Sequence, residues 1–357
     1  MSVIASLANA TFSVPATARK NTYIANAWFD WVFFIASPLI ALWIGILIHG
    51  TPIADQEISL LGNEASIANI FIGTFIMAHL VIVIFRSHLN REIFKQFPLR
   101  FTVVPLALFT AMCFSKWVAV SVTVLATWWD VYHSGLQTFG LGRIYDMKVG
   151  NDARVGRRLD YWLNLLLYAG PILAGATLMD HVKDFNDFEE VGSAFFTAIP
   201  ATVESNRLYL TQFVLALGIP FLMFYVFRYW QYWRQGYKVS FQKVALLVFT
   251  GLCSIYTWGY NTYGEAFFIM NFFHAWQYFA IVWWMEKKNM TKTLGLQDSA
   301  WGKPLALLLL LAFGFGYGFW AEMRDGTSGA AYNLIMVIAI MHFWYDGFVW
   351  SVRKRMV

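Results

Sequence analysis

The stretch WWDVYHSGLQTFGLGR, at residues 128–143, lies at the end of an apolar segment that begins near residue 117. That segment is long enough to cross a bilayer, which takes about 20 residues. Asp130, His133 and Gln137 are spaced i, i+3, i+7 and therefore share one face of a helix. Ionisable side chains at membrane depth are costly and indicate a functional site. The stretch thus predicts a membrane-spanning helix with polar groups facing the interior of a bundle.

Nine further apolar segments occur in the chain, which is 59% hydrophobic and only 13% charged. Soluble globular proteins contain about 25% charged residues. We therefore predict an all-α, polytopic integral membrane helix bundle that forms a single domain over residues 1–357. The ten predicted spans are 27–49, 67–86, 101–115, 117–142, 159–179, 207–229, 243–262, 264–286, 303–321 and 329–352.

The loops between the predicted spans alternate in charge. Lysine and arginine concentrate in residues 86–100, 143–158, 228–243 and 287–303 and at the C-terminus, whereas the other loops are acidic or uncharged. The positive-inside rule places the basic loops and both termini in the cytoplasm. The largest extracytoplasmic loop is then 180–206. Because topology explains the net charge of +5, we predict an inner (plasma) membrane protein with no nucleic-acid partner.

Four histidines lie inside predicted spans that run from the outside to the inside: His79, His133, His274 and His342. Their distances from the next basic residue place them roughly 10–20 Å above the inner boundary, at 1.5 Å per helical residue. Four imidazoles facing lipid would each lack a hydrogen-bond partner, so we expect them to face inward and to converge. Taken singly, each histidine is also compatible with an ordinary interhelical hydrogen bond.

Polar residues accompany the histidines on their own helices. Asp346 follows His342 at i+4, and Asn271 and Gln277 flank His274. Imidazole and carboxylate form the usual ligand set for iron, zinc or manganese, in which the carboxylate binds the metal or orients an imidazole. The histidines and carboxylates of these helices provide enough ligands for one metal ion or for two.

We therefore predict a histidine-ligated metal centre. The metal ligands are His79, His133, His274 and His342. We predict catalytic roles for four further residues, which act as additional ligands, as orienting groups or as holders of a bound water or oxygen species. They are Asp130, Asp346, Gln137 and Gln277. The aromatic residues beside the histidines either wall an apolar substrate pocket or pack the core.

Two short motifs resemble the Brp/Blh-type membrane β-carotene dioxygenases: HFWYD at 342–346 and YHSGLQTFG at 132–140. The resemblance implies a multi-spanning protein whose histidines hold iron and which oxidises an apolar molecule. The chain departs from the family in two places. The first span reads IASPLIALW, without the family's early Pro-His-Gly stretch, and Tyr278 stands where the family's paired HxxxH has its second histidine.

These observations together favour a non-haem metal oxygenase or hydroxylase, most simply with iron, acting on a lipid-like or isoprenoid substrate. An electron-donor protein would approach the basic cytoplasmic face. Two alternatives remain open: a haem-binding membrane electron carrier with the histidines as axial ligands, and a proton-coupled transporter that uses the buried histidines and aspartates. Zincin, phosphate-loop and dinucleotide-binding motifs are absent from the sequence.

Overall fold

A computed structural model of the chain describes residues 21–175, 201–260, 263–324 and 329–350. This part of the chain is almost entirely helical, as predicted. Five of its helices are long and apolar enough to cross a membrane, or six if one bent pair counts as a single span. The protein is therefore a helical membrane protein. Most of the predicted 180–206 loop lies outside the described residues.

The first half of the fold contains eight helices and one hairpin. A π-helical turn, Trp31–Ile35, extends the first helix. The elements are α1 (Ala27–Asp30), α2 (Ser37–Ile48), α3 (Pro52–Asp55), β1 (Glu57–Leu60), β2 (Asn63–Ser66), α4 (Ile67–Val81), α5 (Ile84–Ser87), α6 (Arg91–Gln96), α7 (Pro98–Phe114) and α8 (Lys116–Lys148).

The second half contains six described helices. They are α9 (Arg157–Gly175), α10 (Arg207–Arg234), α11 (Phe241–Tyr260), α12 (Tyr263–Thr293), α13 (Gly302–Glu322) and α14 (Gly329–Val349). Residues 201–205 are also helical. A helix thus occupies the described part of each of the ten segments that the sequence marks as apolar.

The antiparallel hairpin β1–β2 is a feature that the sequence analysis did not predict. Its register pairs Glu57 with Ser66 and Leu60 with Asn63. The two connecting residues, Leu61 and Gly62, both have positive φ, of 52° and 90°. A two-residue turn of this handedness matches the twist of the strands, and glycine adopts it readily.

The first predicted span is bent by 58° between the π-helical turn and α2. Asp30 fixes the start of this region, because its carboxylate accepts hydrogen bonds from the Ile24 and Ala25 amides at 2.6 and 2.9 Å. The Tyr145 hydroxyl of α8 also donates to Asp30, at 3.0 Å. Asp30 therefore fixes the backbone that leads into α1 and ties this region to α8.

A buried ionic network joins the C-terminal end of α8 to the N-terminal ends of α9 and α11. Arg143 donates to Asp146 at 2.7 Å and to Asp160 at 2.5 Å, and Lys243 donates to the same two oxygens at 2.8 and 2.7 Å. All four side chains are almost fully buried. The remaining carboxylate oxygens accept hydrogen bonds from three tyrosine hydroxyls, those of Tyr225, Tyr229 and Tyr237. The two positive and two negative charges balance.

Candidate metal centre

Four buried imidazole rings meet at the centre of the bundle. They are contributed by four different helices: His79 by α4, His133 by α8, His274 by α12 and His342 by α14. The ring centroids of His79 lie 5.1 Å from His274 and 4.9 Å from His342, and those of His133 lie 4.9 Å from His274 and 4.8 Å from His342. The rings therefore form a closed square in which each neighbours two others, as the sequence analysis expected.

Several ring nitrogens in this square are free to bind a ligand. The Nδ1 atom of His79 donates to the Ile76 carbonyl, which leaves its Nε2 unprotonated. Among the described residues, neither this Nε2 nor either ring nitrogen of His274 has a hydrogen-bond partner. Buried polar atoms without partners are uncommon in native proteins and require an explanation such as an unseen ion.

Asp346 adds a carboxylate to the square, one helical turn after His342. Its Oδ2 atom lies 3.7 Å from His133 Nε2 and 3.8 Å from His342 Nε2. Its Oδ1 atom accepts hydrogen bonds from the Tyr278 hydroxyl at 2.8 Å and from the Trp350 indole at 2.9 Å. One oxygen is thus anchored while the other faces the imidazoles, the arrangement by which outer partners orient a metal-binding carboxylate.

Two overlapping groups among the described residues have ligand atoms that all lie within 4.8 Å of one another. The first contains His79, His274 and His342, and the second contains His133, His342 and Asp346. Because His342 belongs to both groups, the square can hold one central ion or two adjacent ions.

Asp130 lies outside both groups, three positions before His133 and therefore about one helical turn away along α8. Its carboxylate, which is partly buried, interacts with the side chain of Asn271, the residue at the equivalent offset before His274. The two polar residues thus pair with each other on the turn next to the histidine square. Their place favours a supporting role over direct ligation.

Gln137 and Gln277 are bonded to each other, one turn from the histidines on the opposite side. The Gln137 amide donates to Gln277 Oε1 at 2.9 Å and to the His274 carbonyl at 3.0 Å. The Gln277 amide donates to the Phe34 carbonyl at 2.8 Å and to Ser37 Oγ at 3.0 Å. These bonds tie α8 and α12 to the bent first span. The buried Oε1 atom of Gln137 has no partner among the described residues.

The sequence analysis did not assign a role to Tyr278 or to Trp350. The Tyr278 ring lies 4.5 Å from that of His342, and the Trp350 ring lies 6.2 Å from that of Tyr278. The spacing of both residues contained the signal, because Tyr278 follows His274 by four positions and Trp350 follows Asp346 by four. Residues four apart lie on the same helical face.

A chain of contacts leads from Asp346 toward the C-terminal end of α14. The Arg86 guanidinium lies 4.5 Å above the Trp350 ring and donates to buried Glu286 at 2.5 Å. Asn90 donates to both oxygens of Glu286, at 3.2 and 2.9 Å. The centre is therefore linked to α5 and to the C-terminal part of α12 through packed polar groups.

Comparison of the chain with protein-family models, with curated proteins and with solved structures gave no match.

Proposed function

We propose that the protein is a membrane-embedded non-haem metalloenzyme, an iron-dependent oxygenase or hydroxylase that acts on an apolar lipid-like or isoprenoid substrate. The observation that carries this proposal is the square of four buried imidazole rings, with neighbouring centroids 4.8–5.1 Å apart. Four clustered imidazoles, of which His79 and His274 have ring nitrogens without a hydrogen-bond partner among the described residues, are poorly explained as core packing alone. We further propose ten spans, with both termini on the cytoplasmic side of the inner (plasma) membrane.

The nitrogen spacing supports a metal over a haem. His133 Nε2 and His342 Nε2 lie 3.1 Å apart. Two nitrogens bound side by side to one ion at about 2.1 Å are separated by roughly 3.0–3.4 Å. The two axial ligands of a haem lie on opposite sides of the iron, roughly 4.2 Å apart by the same bond length. The pair therefore fits adjacent ligands of a non-haem ion.

In this proposal His79, His133, His274 and His342 hold one or two iron ions, with Asp346 as a further ligand or as an orienting group. Bound iron would supply the activation of dioxygen. Tyr278 and Trp350 hold the Asp346 carboxylate in place through its Oδ1 atom. The unpartnered Oε1 of Gln137 is available to accept a hydrogen bond from a water, while Gln277 and Asp130 position their neighbours.

The apolar surroundings support a substrate that comes from the membrane. The Phe343 ring lies 5.0 Å from His133, and Phe343 and Tyr278 are both buried against the square. Such residues exclude water, which strengthens electrostatic interactions and suppresses side reactions. The electron donor would be a protein at the cytoplasmic face, where the contacts through Arg86 and Glu286 end. A carotenoid-like substrate would be in keeping with the Brp/Blh resemblance.

Metal analysis of gently purified protein tests the proposal, with an absorption spectrum of the same sample. We expect one or two iron ions per chain, no Soret band, and loss of the iron when His133 or His342 is replaced by alanine. His49→Ala is the matched control, because His49 is exposed at the end of α2. Folded protein without metal would overturn the proposal, and a Soret band would instead indicate a haem-binding electron carrier.

A proton-conducting role is the second candidate, because 3.1 Å is also a hydrogen-bond distance between His133 and His342. Neutral imidazoles in contact can pass a proton along. Reconstituted vesicles carrying a pH-sensitive dye test this role. Proton movement by metal-free protein that stops in His342→Ala would favour a transporter, whereas equal dye responses in protein-containing and empty vesicles would exclude it.

A further inference from the structure

A basic concavity of about 620 Å³ opens where α9 begins and α10 ends. Its lining contains three arginines and no carboxylate among the described residues: Arg154, Gly156, Arg157, Arg158, Leu159 and Tyr232. All three arginine side chains are exposed. The sequence places this end of both helices at the inner boundary of the membrane, where anionic lipid headgroups lie.

The three arginines lack anionic partners within the described part of the chain. The ion pairs there involve other cations, chiefly Arg86, Arg143 and Lys243. Arg157 and Arg158 occupy the first turn of α9. Cations are disfavoured at that end of a helix because the helix dipole is positive there. An anion bound among the three arginines would offset their repulsion of one another and their unfavourable interaction with the helix dipole.

A second concavity, an apolar groove of about 610 Å³, lies between α8, α9 and α10. Its walls consist of aliphatic and aromatic side chains with two glycines, and they include Trp128, Trp162, Leu166, Gly170, Phe213 and Gly218. A Cβ atom at Gly170 would lie 3.3 Å from the Leu166 side chain, and one at Gly218 would lie 3.0 Å from it. The missing side chains therefore keep the groove open where α9 and α10 approach.

The two concavities follow one another along α9. Leu159 lines the basic concavity and Trp162 lines the apolar groove, so that less than one helical turn, about 5 Å, separates them. The groove continues to Leu173, which gives it a length of about 16 Å along the helix. None of the residues that line either concavity belongs to the histidine square.

We propose that the two concavities together form a binding site for one anionic phospholipid of the inner leaflet. The phosphate lies among Arg154, Arg157 and Arg158, and one acyl chain lies in the groove between α8, α9 and α10. The charge of the first concavity, the apolar walls of the second and their order along α9 each match one part of such a lipid. Basic pockets between transmembrane helices on this side of a membrane bind anionic headgroups. The site does not depend on metal chemistry.

Native mass spectrometry of the full chain, released from nanodiscs of equal phosphatidylglycerol and phosphatidylcholine, tests the headgroup half of the site. We expect wild type to retain phosphatidylglycerol preferentially. Arg157→Gln/Arg158→Gln should lower the ratio of retained phosphatidylglycerol to phosphatidylcholine by roughly 30-fold, since each basic side chain contributes about 1 kcal/mol to headgroup binding. Lys288→Gln/Lys292→Gln, which removes two exposed cations from α12, is the matched control and should leave the ratio unchanged.

The acyl-chain half of the site is tested by variants that fill the groove with larger side chains. Gly218→Leu should reduce the amount of retained phosphatidylglycerol, and Leu173→Trp is a second variant at an exposed wall position that tolerates a larger side chain. Excess inorganic phosphate should not displace the lipid. An unchanged lipid ratio in the double arginine variant overturns the proposal. If both groove variants retain phosphatidylglycerol fully, or if inorganic phosphate displaces the lipid, the proposal is wrong and the site binds the phosphate group alone.

Discussion

His133 Nε2 and His342 Nε2 lie 3.1 Å apart although the two residues are separated by 209 positions in the chain. The contact requires α8 and α14 to pack side by side, with both imidazoles turned away from lipid. It is the shortest link in a square whose other members come from α4 and α12. The candidate centre therefore arises from tertiary packing and is not contained in any single segment.

Replacing one member of this contact should remove the metal without unfolding the bundle. We expect His342→Ala to weaken metal binding by at least about 100-fold, because even partners outside the ligand set contribute 10–100-fold to affinity. Metal titration followed by spectroscopy measures the change. His88→Gln serves as the control, since His88 bonds to Ser87 and the Phe101 carbonyl away from the square.

Tyr278→Phe should weaken metal binding by about tenfold and leave the fold intact, because the hydroxyl anchors the Asp346 carboxylate. Trp350→Phe removes the other donor to the same oxygen and should have a similar effect. Metal titrations of both variants check this expectation. If both variants bind metal as wild type does, Asp346 does not contribute to the centre.

The hydrogen bond between Gln137 and Gln277 should affect stability and not metal binding. Gln277→Leu should destabilise the protein by about 1–3 kcal/mol, because the Phe34 carbonyl and the Gln137 amide would each lose one of their hydrogen bonds in a buried setting. Thermal unfolding in detergent measures the change, and metal content should stay at the wild-type level. Metal loss with unchanged stability would instead indicate that Gln277 acts at the centre.

The ion pair of Arg86 with Glu286 is buried, with side-chain exposures of 6% and 0%. Glu286→Leu should cost about 3–5 kcal/mol of stability, because it removes a buried carboxylate partner of the arginine and the acceptor of two Asn90 hydrogen bonds. The double variant Arg86→Leu/Glu286→Leu should cost less than Glu286→Leu alone. Unfolding of both variants in denaturant tests the ranking, and equal losses would mean that the charges act independently.

His88 lies outside the predicted spans and gives the protein one source of pH dependence. Burial lowers the pKa of its imidazole below the ordinary value of 6.5, and the hydrogen bond to the Phe101 carbonyl opposes this only in part. The unfolded chain therefore binds a proton at His88 more readily than the folded protein does. Stability from this group is complete above pH 6.5 and falls as the pH drops below it.

His88→Gln should reduce that loss, because glutamine can replace the hydrogen bonds but does not titrate. Melting temperatures of wild type and variant between neutral and mildly acidic pH measure the difference. Parallel curves for the two proteins would show that His88 does not contribute.

The histidine square was largely predictable, because apolar spans, alternating loop charge and four ionisable residues at one depth constrain which side chains can meet. The Gln137–Gln277 bond was not, since its partners belong to different helices and the register between helices depends on packing. The hairpin at Glu57–Ser66 is not evident from the sequence although Gly62 is a turn residue, because each strand has only four residues and its alternating pattern is short. The bond from the Tyr278 hydroxyl to Asp346 also joins two different helices, so the sequence does not reveal it.

The ionic network of Arg143, Asp146, Asp160 and Lys243 has a consequence for biosynthesis. When α8 and α9 leave the ribosome, they bring two carboxylates and only one of the two cations. Lys243 is translated 83 residues after Asp160. At 5–20 residues per second, this delay lasts roughly 4–17 s. During that interval the two carboxylates of the network have only one of its two cations. The arrival of α11 completes the network, so its charges balance only after the second half of the chain has been made.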